Sequence, residues 1–172
     1  MKPTLILSTA FAIVLSTGSA TAATIVYGAT LTGAAERPTP VVTPATGSAV
    51  FTYDDVSGAW SLTGNFSNLT ANANNAHIHG PITSGEVASP FVNLTFTAAQ
   101  SGTLSGSGTF TPAQLAALAT PGPSGLAGGG FYVNVHSVGP FSGGEIRGTL
   151  VPEPGTAMLA GLAGLTLFRR RR

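Results

Sequence analysis

The chain has 172 residues, of which 23 are Gly, 12 are Pro and only 8% are charged, so it holds one domain and not comfortably two, and its shortage of Glu and Lys argues against a helical one. The net charge of +1 comes from the ends (Lys2 and Arg169 to Arg172); between Ala23 and Val151, Arg37 and Arg147 face Glu36, Asp54, Asp55, Glu86 and Glu145, a balance of two minus five, or −3, which excludes the basic face that nucleic-acid binding needs. The absence of cysteine excludes disulfides, thiolate metal sites and cysteine nucleophiles.

The chain opens like a secretory signal. Lys2 supplies a positive start, Leu5 to Leu15 an apolar run, and Ala20-Thr21-Ala22 a small-x-small cleavage site, so residues 1–22 are expected to be removed before Ala23. Short alternating runs then predict strands. Thr24 to Leu31 is the first. Gly47 to Tyr53 and Gly58 to Phe66 form a hairpin around the turn Asp54-Asp55-Val56-Ser57. Between these, Arg37 to Pro44 is Pro-rich and expected as an exposed connection. Ala73 to His79 stops at the Gly80-Pro81 breaker. Phe91 to Thr97 alternates, with Phe91, Asn93 and Thr95 on one face and Val92, Leu94 and Phe96 on the other.

Leu104 to Phe110 is the next strand. Thr111-Pro112-Ala113-Gln114 then opens a short helix to about Ala119, with Thr111 as cap and Pro112 where its missing N–H does no harm. Pro121 to Gly130 is expected as a flexible loop. Phe131 to His136 and Glu145 to Val151 close a domain spanning 23–150. The expected fold class is all-β: a single immunoglobulin-like or Greek-key β-sandwich of about eight strands with one short helix. In Phe131 to His136, Val133 and Val135 should point into the core, opposite Tyr132, Asn134 and His136.

Residues 151–172 form a tail. Pro152-Glu153-Pro154 precedes an uncharged, mostly apolar run to Phe168, and Arg169, Arg170, Arg171 and Arg172 end the chain. The run is shorter than the ~20 residues that cross a bilayer core, so transient membrane insertion is expected, with the arginines on the cytoplasmic side.

The three histidines carry the most chemistry. On a strand, His77 and His79 share a face about 7 Å apart, and His136 from another strand completes a cage suited to copper or zinc. Alternatively, the imidazoles bond Glu145, Asn134 or backbone carbonyls and tie strands together. Imidazoles converging on one point would suit a metal, whereas bonds to carbonyls or carboxylates would mark a structural role. Glu145 and Arg147 share a strand face, as an ion pair or as ligand contacts. Gly128-Gly129-Gly130 lacks the Lys and the helix that a nucleotide site requires, and no Ser-His-Asp order or pair of carboxylates stands out. The expectation is a protein that is not an enzyme.

Two resemblances follow from these motifs. Leu31-Thr32-Gly33 with Glu36 and Pro38, Gly47 and Ala49, Trp60, His77-Ile78-His79-Gly80, Tyr132-Val133-Asn134-Val135-His136 and Gly143-Gly144-Glu145-Ile146-Arg147-Gly148 together resemble the CHRD domain. The resemblance implies an immunoglobulin-like or related β-sandwich, an extracellular location and no established enzymatic activity. The order of Pro-Glu-Pro, apolar run and basic cluster resembles the PEP-CTERM sorting signal of Gram-negative bacteria. It implies export by the secretion machinery, recognition by an exosortase, cleavage near Pro152 to Pro154, a final place at the cell surface or in the extracellular matrix, and an association with exopolysaccharide. His-x-His on a strand is also similar to the copper-binding pair of Cu,Zn superoxide dismutase, but the Cys pair, long zinc loop and Asp ligand of that family are missing. The expected function is a surface or matrix module binding exopolysaccharide or a matrix protein; the alternative is a periplasmic or surface metal-binding sandwich.

Overall fold

Alternation of apolar and small polar residues makes the strands, and Ser, Thr and Gly on the outward positions leave one face of most of them wet. The computed structural model describes residues 23–83 and 86–153. The predicted signal segment 1–22, Pro154, the apolar run of the tail and Arg169 to Arg172 lie outside the described residues.

Among the described residues ten strands form one antiparallel sheet: β1 (Thr24–Thr32), β2 (Thr46–Asp54), β3 (Ala59–Ser67), β4 (Ala73–His79), β5 (Pro90–Asn93), β6 (Thr95–Phe96), β7 (Gly102–Thr109), β8 (Tyr132–Ser137), β9 (Ile146–Thr149) and β10 (Val151–Pro152). The order is β5-β4-β8-β9-β1-β2-β3-β7-β6, with β10 pairing β1 beside β9. The expected class holds, with ten strands instead of about eight. Both extra strands come from splitting a predicted run.

One split closes the sheet. The run predicted as a single strand from Phe91 to Thr97 divides at Leu94, whose side chain is buried. Its first half pairs with β4 and its second with β7. The two edges of the sheet are therefore neighbours along the chain, and the sheet curls into a nearly closed, barrel-like sandwich. The second split breaks Glu145 to Val151 into β9, which pairs β8, and β10, which pairs β1.

The hairpin β2–β3 has the expected turn. Asp54 Oδ1 accepts from the N–H groups of Val56 and Ser57 and from the Ser57 hydroxyl, and Gly58 (φ 73°) takes the left-handed corner. Phe51, Leu31, Leu62, Ile78, Leu104, Val133, Val135 and Ile146 fill the interior and are essentially inaccessible. The helix α1 (Pro112–Leu118) begins with a full capping box: Thr111 Oγ1 accepts from Gln114 N–H, and Gln114 Oε1 accepts from Thr111 N–H. The following segment, expected as a flexible loop, is instead tied down. Leu126 is fully buried, its N–H donates to Leu118 O at 3.0 Å, and Gly130 N–H donates to Gly125 O at 2.9 Å. Its Gly and Pro content hid the single apolar anchor that fixes it.

Candidate metal centre

β4 and β8 are neighbours, with His77 opposite Asn134, His79 opposite Tyr132 and Asn75 opposite His136. Alternation places all three histidines on the outer face, while Val133 and Val135 point inward as expected. That outer face is covered as well: every residue of β8 is buried. The antiparallel register sets His79 and His136 toward opposite ends of β8. Their rings lean along the strands and meet over the middle of the face, and not at a rim.

One ligand atom from each of His77, His79 and His136 lies within 4.8 Å of the other two. Ring centroids are 5.1 Å apart for His77–His136, 5.2 Å for His77–His79 and 5.9 Å for His79–His136. A metal ~2.0–2.1 Å from three nitrogens holds them roughly 3.5 Å apart, so closure needs a movement of about 1 Å.

Both marks anticipated from the sequence are present, convergence and carbonyl bonds, and the ring atoms involved reconcile them. His79 Nδ1 bonds Ala88 O at 2.8 Å, and His136 Nδ1 bonds Ser142 O at 2.9 Å. A carbonyl only accepts, so both protons sit on Nδ1 and both Nε2 atoms keep a lone pair. His79 Nε2 is buried with no partner, and His136 Nε2 faces His77 Nδ1 at 3.3 Å. Carbonyl anchors of this kind orient metal-binding imidazoles. Burial lowers the pKa of all three; His79 falls to about 4, and at His77 the neighbouring His136 adds to the effect. Neutral imidazoles are the form that binds a metal.

Two further side chains build a stack beside the cluster. The Tyr132 ring lies parallel to His79, with centroids 4.9 Å apart and 5° between planes. The Arg147 guanidinium lies 3.4 Å over the Tyr132 ring. Gly80 (φ 149°) ends β4 where a Cβ would meet Phe131 Cδ1 at 2.2 Å, so glycine lets Phe131 press against the backbone next to His79.

Glu145 and Arg147 do not pair. The strand begins at Ile146, so alternation does not govern Glu145, and Gly144 (φ 133°) turns the chain just before it. Glu145 is fully buried, accepting from Thr43 Oγ1 at 2.6 Å, from Thr70 N–H at 2.9 Å and from the Ser137 hydroxyl. Arg147 goes to Tyr132 instead. Asn134 bonds no histidine among the described residues; its amide lies beside Gly144 and Glu36. Pro152 lies in β10 and Glu153 follows it.

The sequence did not single out Tyr132 as a site residue, although alternation puts it on the histidine face. Glu36 sits in a loop, where periodicity gives no signal. It is 3% exposed, and burial raises its pKa from 4.5 to about 7, against the lowering effects of Arg147, the Arg37 backbone N–H and Asn134. A carboxyl whose folded pKa is raised contributes most to stability below pH 4.5 and loses that contribution as pH rises through about 7. The protein is therefore expected to lose up to about 3 kcal/mol between pH 4.5 and 8 through this group. Glu36→Gln should flatten that dependence and exceed the parent in stability at pH 8. Urea denaturation at both pH values checks this, and parallel curves for the two proteins would refute it.

The chain matches the family model for the CHRD domain over residues 27–150. It matches the PEP-CTERM protein-sorting motif over residues 150–172. No curated protein matches it.

Proposed function

Because the chain belongs to the CHRD domain family and ends in a PEP-CTERM sorting motif that implies export and exosortase recognition, we propose that it is an envelope-surface binding protein, not an enzyme, whose β-domain holds a transition metal ion, copper or zinc. Among the described residues no helix is long and apolar enough to cross a membrane. In this proposal the tail supplies membrane contact only until it is processed. The observation that carries the metal reading is the convergence of three neutral imidazoles, two of them locked by backbone carbonyls through Nδ1, with His79 Nε2 unpartnered and His136 Nε2 turned to His77 Nδ1 inside the cluster. His77, His79 and His136 are 7–9% exposed, which suits holding an ion better than admitting a substrate.

The test is calorimetric titration of the purified protein with Zn(II) and with Cu(II). One equivalent should bind, with a rise in Tm that grows with free metal concentration. No saturable binding of either ion would overturn the reading. Removing Arg169 to Arg172 should leave the protein unprocessed and away from the surface, as surface proteolysis and fractionation would show.

The second reading is a module that binds exopolysaccharide or a matrix protein. A cationic cleft beside Arg147 favours it.

A further inference from the structure

Arg147 is 5% exposed, yet its Nη1 is buried with no hydrogen-bond partner. Tyr132 covers one face of the guanidinium. The ion pair found nearby is Arg37 Nε with Glu86 Oε1 at 3.2 Å, in which Glu86 is 60% exposed at the rim. A buried guanidinium has five donors in a rigid fork and normally satisfies them. This one instead lines an open cleft of about 300 Å³, together with Ala35, Arg37, Ile82, Glu86 and Thr149.

The cleft has the size of a single ring-sized ligand. Its rim pair neutralises itself, and the buried Glu36 carboxyl that interacts with Arg147 is pushed up to about 7, so below that pH Arg147 supplies one positive charge to the cleft. With Tyr132 stacked on its face, the guanidinium offers its edge, which matches a flat, singly charged acceptor with two oxygens better than a dianion. Ile82 and Ala35 give an apolar bed, and Thr149 a hydroxyl at the mouth. A carboxylate, a ring with an apolar face and hydroxyls are together the parts of an acidic sugar.

We propose that this cleft binds the carboxylate of a hexuronate unit of a polymer through the guanidinium edge of Arg147, with Arg37 released from Glu86 to support it. The ligand class deepens the matrix-binding reading and rests on it for its source. No histidine lines the cleft, and the Tyr132 ring is what the two sites share, stacked on His79 and under Arg147.

Calorimetry on the purified protein with trigalacturonate, a neutral glucose trimer, a triglutamate peptide and inorganic phosphate tests the proposal. Trigalacturonate should bind at least tenfold more tightly than the other three. Arg147→Lys, which keeps the charge and loses the fork, should weaken it at least tenfold, with the folded state verified by circular dichroism. Glu86→Gln should strengthen it two- to threefold by freeing Arg37. Equal binding of phosphate, of the peptide or of the neutral trimer would overturn the proposal, as would an unchanged Arg147→Lys. Retention on immobilised polygalacturonate separates the two claims. Retention that Arg147→Lys leaves unchanged would overturn the cleft and keep the matrix reading. Trimer binding without retention would overturn the matrix reading and keep the cleft.

Discussion

Glu145→Ala is expected to destabilise the protein by about 3–5 kcal/mol, the largest effect of any single polar substitution in the domain. The carboxylate is fully buried and holds three separate parts of the chain: the Thr43 hydroxyl before β2, the Thr70 N–H between β3 and β4, and the Ser137 hydroxyl at the end of β8. Alanine removes the acceptor of all three donors; it strands the fully buried Ser137 hydroxyl, at about 1–3 kcal/mol, and breaks the two part-buried bonds from Thr43 and Thr70, at about 1.5–3 kcal/mol each before relaxation. Glu145→Gln should cost less, because a hydroxyl can rotate to accept from the new amide whereas the Thr70 N–H cannot. Urea denaturation measures both. An alanine variant as stable as the parent would show that the carboxylate is not the tie it resembles.

His79→Ala and His136→Ala are each expected to weaken metal binding at least a hundredfold. Losing a residue that merely supports a ligand costs about 10–100-fold, so losing the ligand costs no less. Without metal the same variants should stay folded and lose only about 1–3 kcal/mol, since each of these two rings makes one bond to a carbonyl and the three rings share one bond of 3.3 Å among them. A purely structural cluster predicts the reverse: a large loss without metal and no metal-dependent rise in Tm. For the parent, free metal at a hundred times Kd should add about 2.7 kcal/mol. Denaturation with and without Zn(II) separates the two outcomes.

Most strands and the capped helix were legible because they obey local rules. The hairpin turn announced itself through Asp54 and Gly58, and the helix through Thr111, Pro112 and Gln114. The division of Phe91 to Thr97 was not legible. Its alternation is regular on both sides of Leu94, and only the curl of the whole sheet gives its halves different neighbours. The histidine face followed from period two, but the meeting place did not, because ring lean and cross-strand register are set by packing. The ion pair read between Glu145 and Arg147 does not form for a related reason: the alternation assumed to link them starts one residue too late. Glu36 and Thr43 lie in loops, and only three-dimensional contact shows what they touch.

The strand β10 stands at the seam between domain and tail. Tyr27 faces Pro152 and Gly28 faces Val151, and the Glu153 N–H donates to Val26 O at 3.1 Å. A Cβ on Gly28 would meet Glu153 Oε1 at 2.1 Å, so the absence of a side chain there gives that carboxylate its berth. The first two residues of the Pro-Glu-Pro motif are thus moored to the N-terminal strand. A protease that cut at Pro152 to Pro154 would have to grip backbone that the barrel already holds, so folding and processing would compete for the same few residues. Slow folders would be trimmed early. Fast folders would shield their own scissile bond until β10 peels away, which makes the order of these two events a property of β1 as much as of the tail.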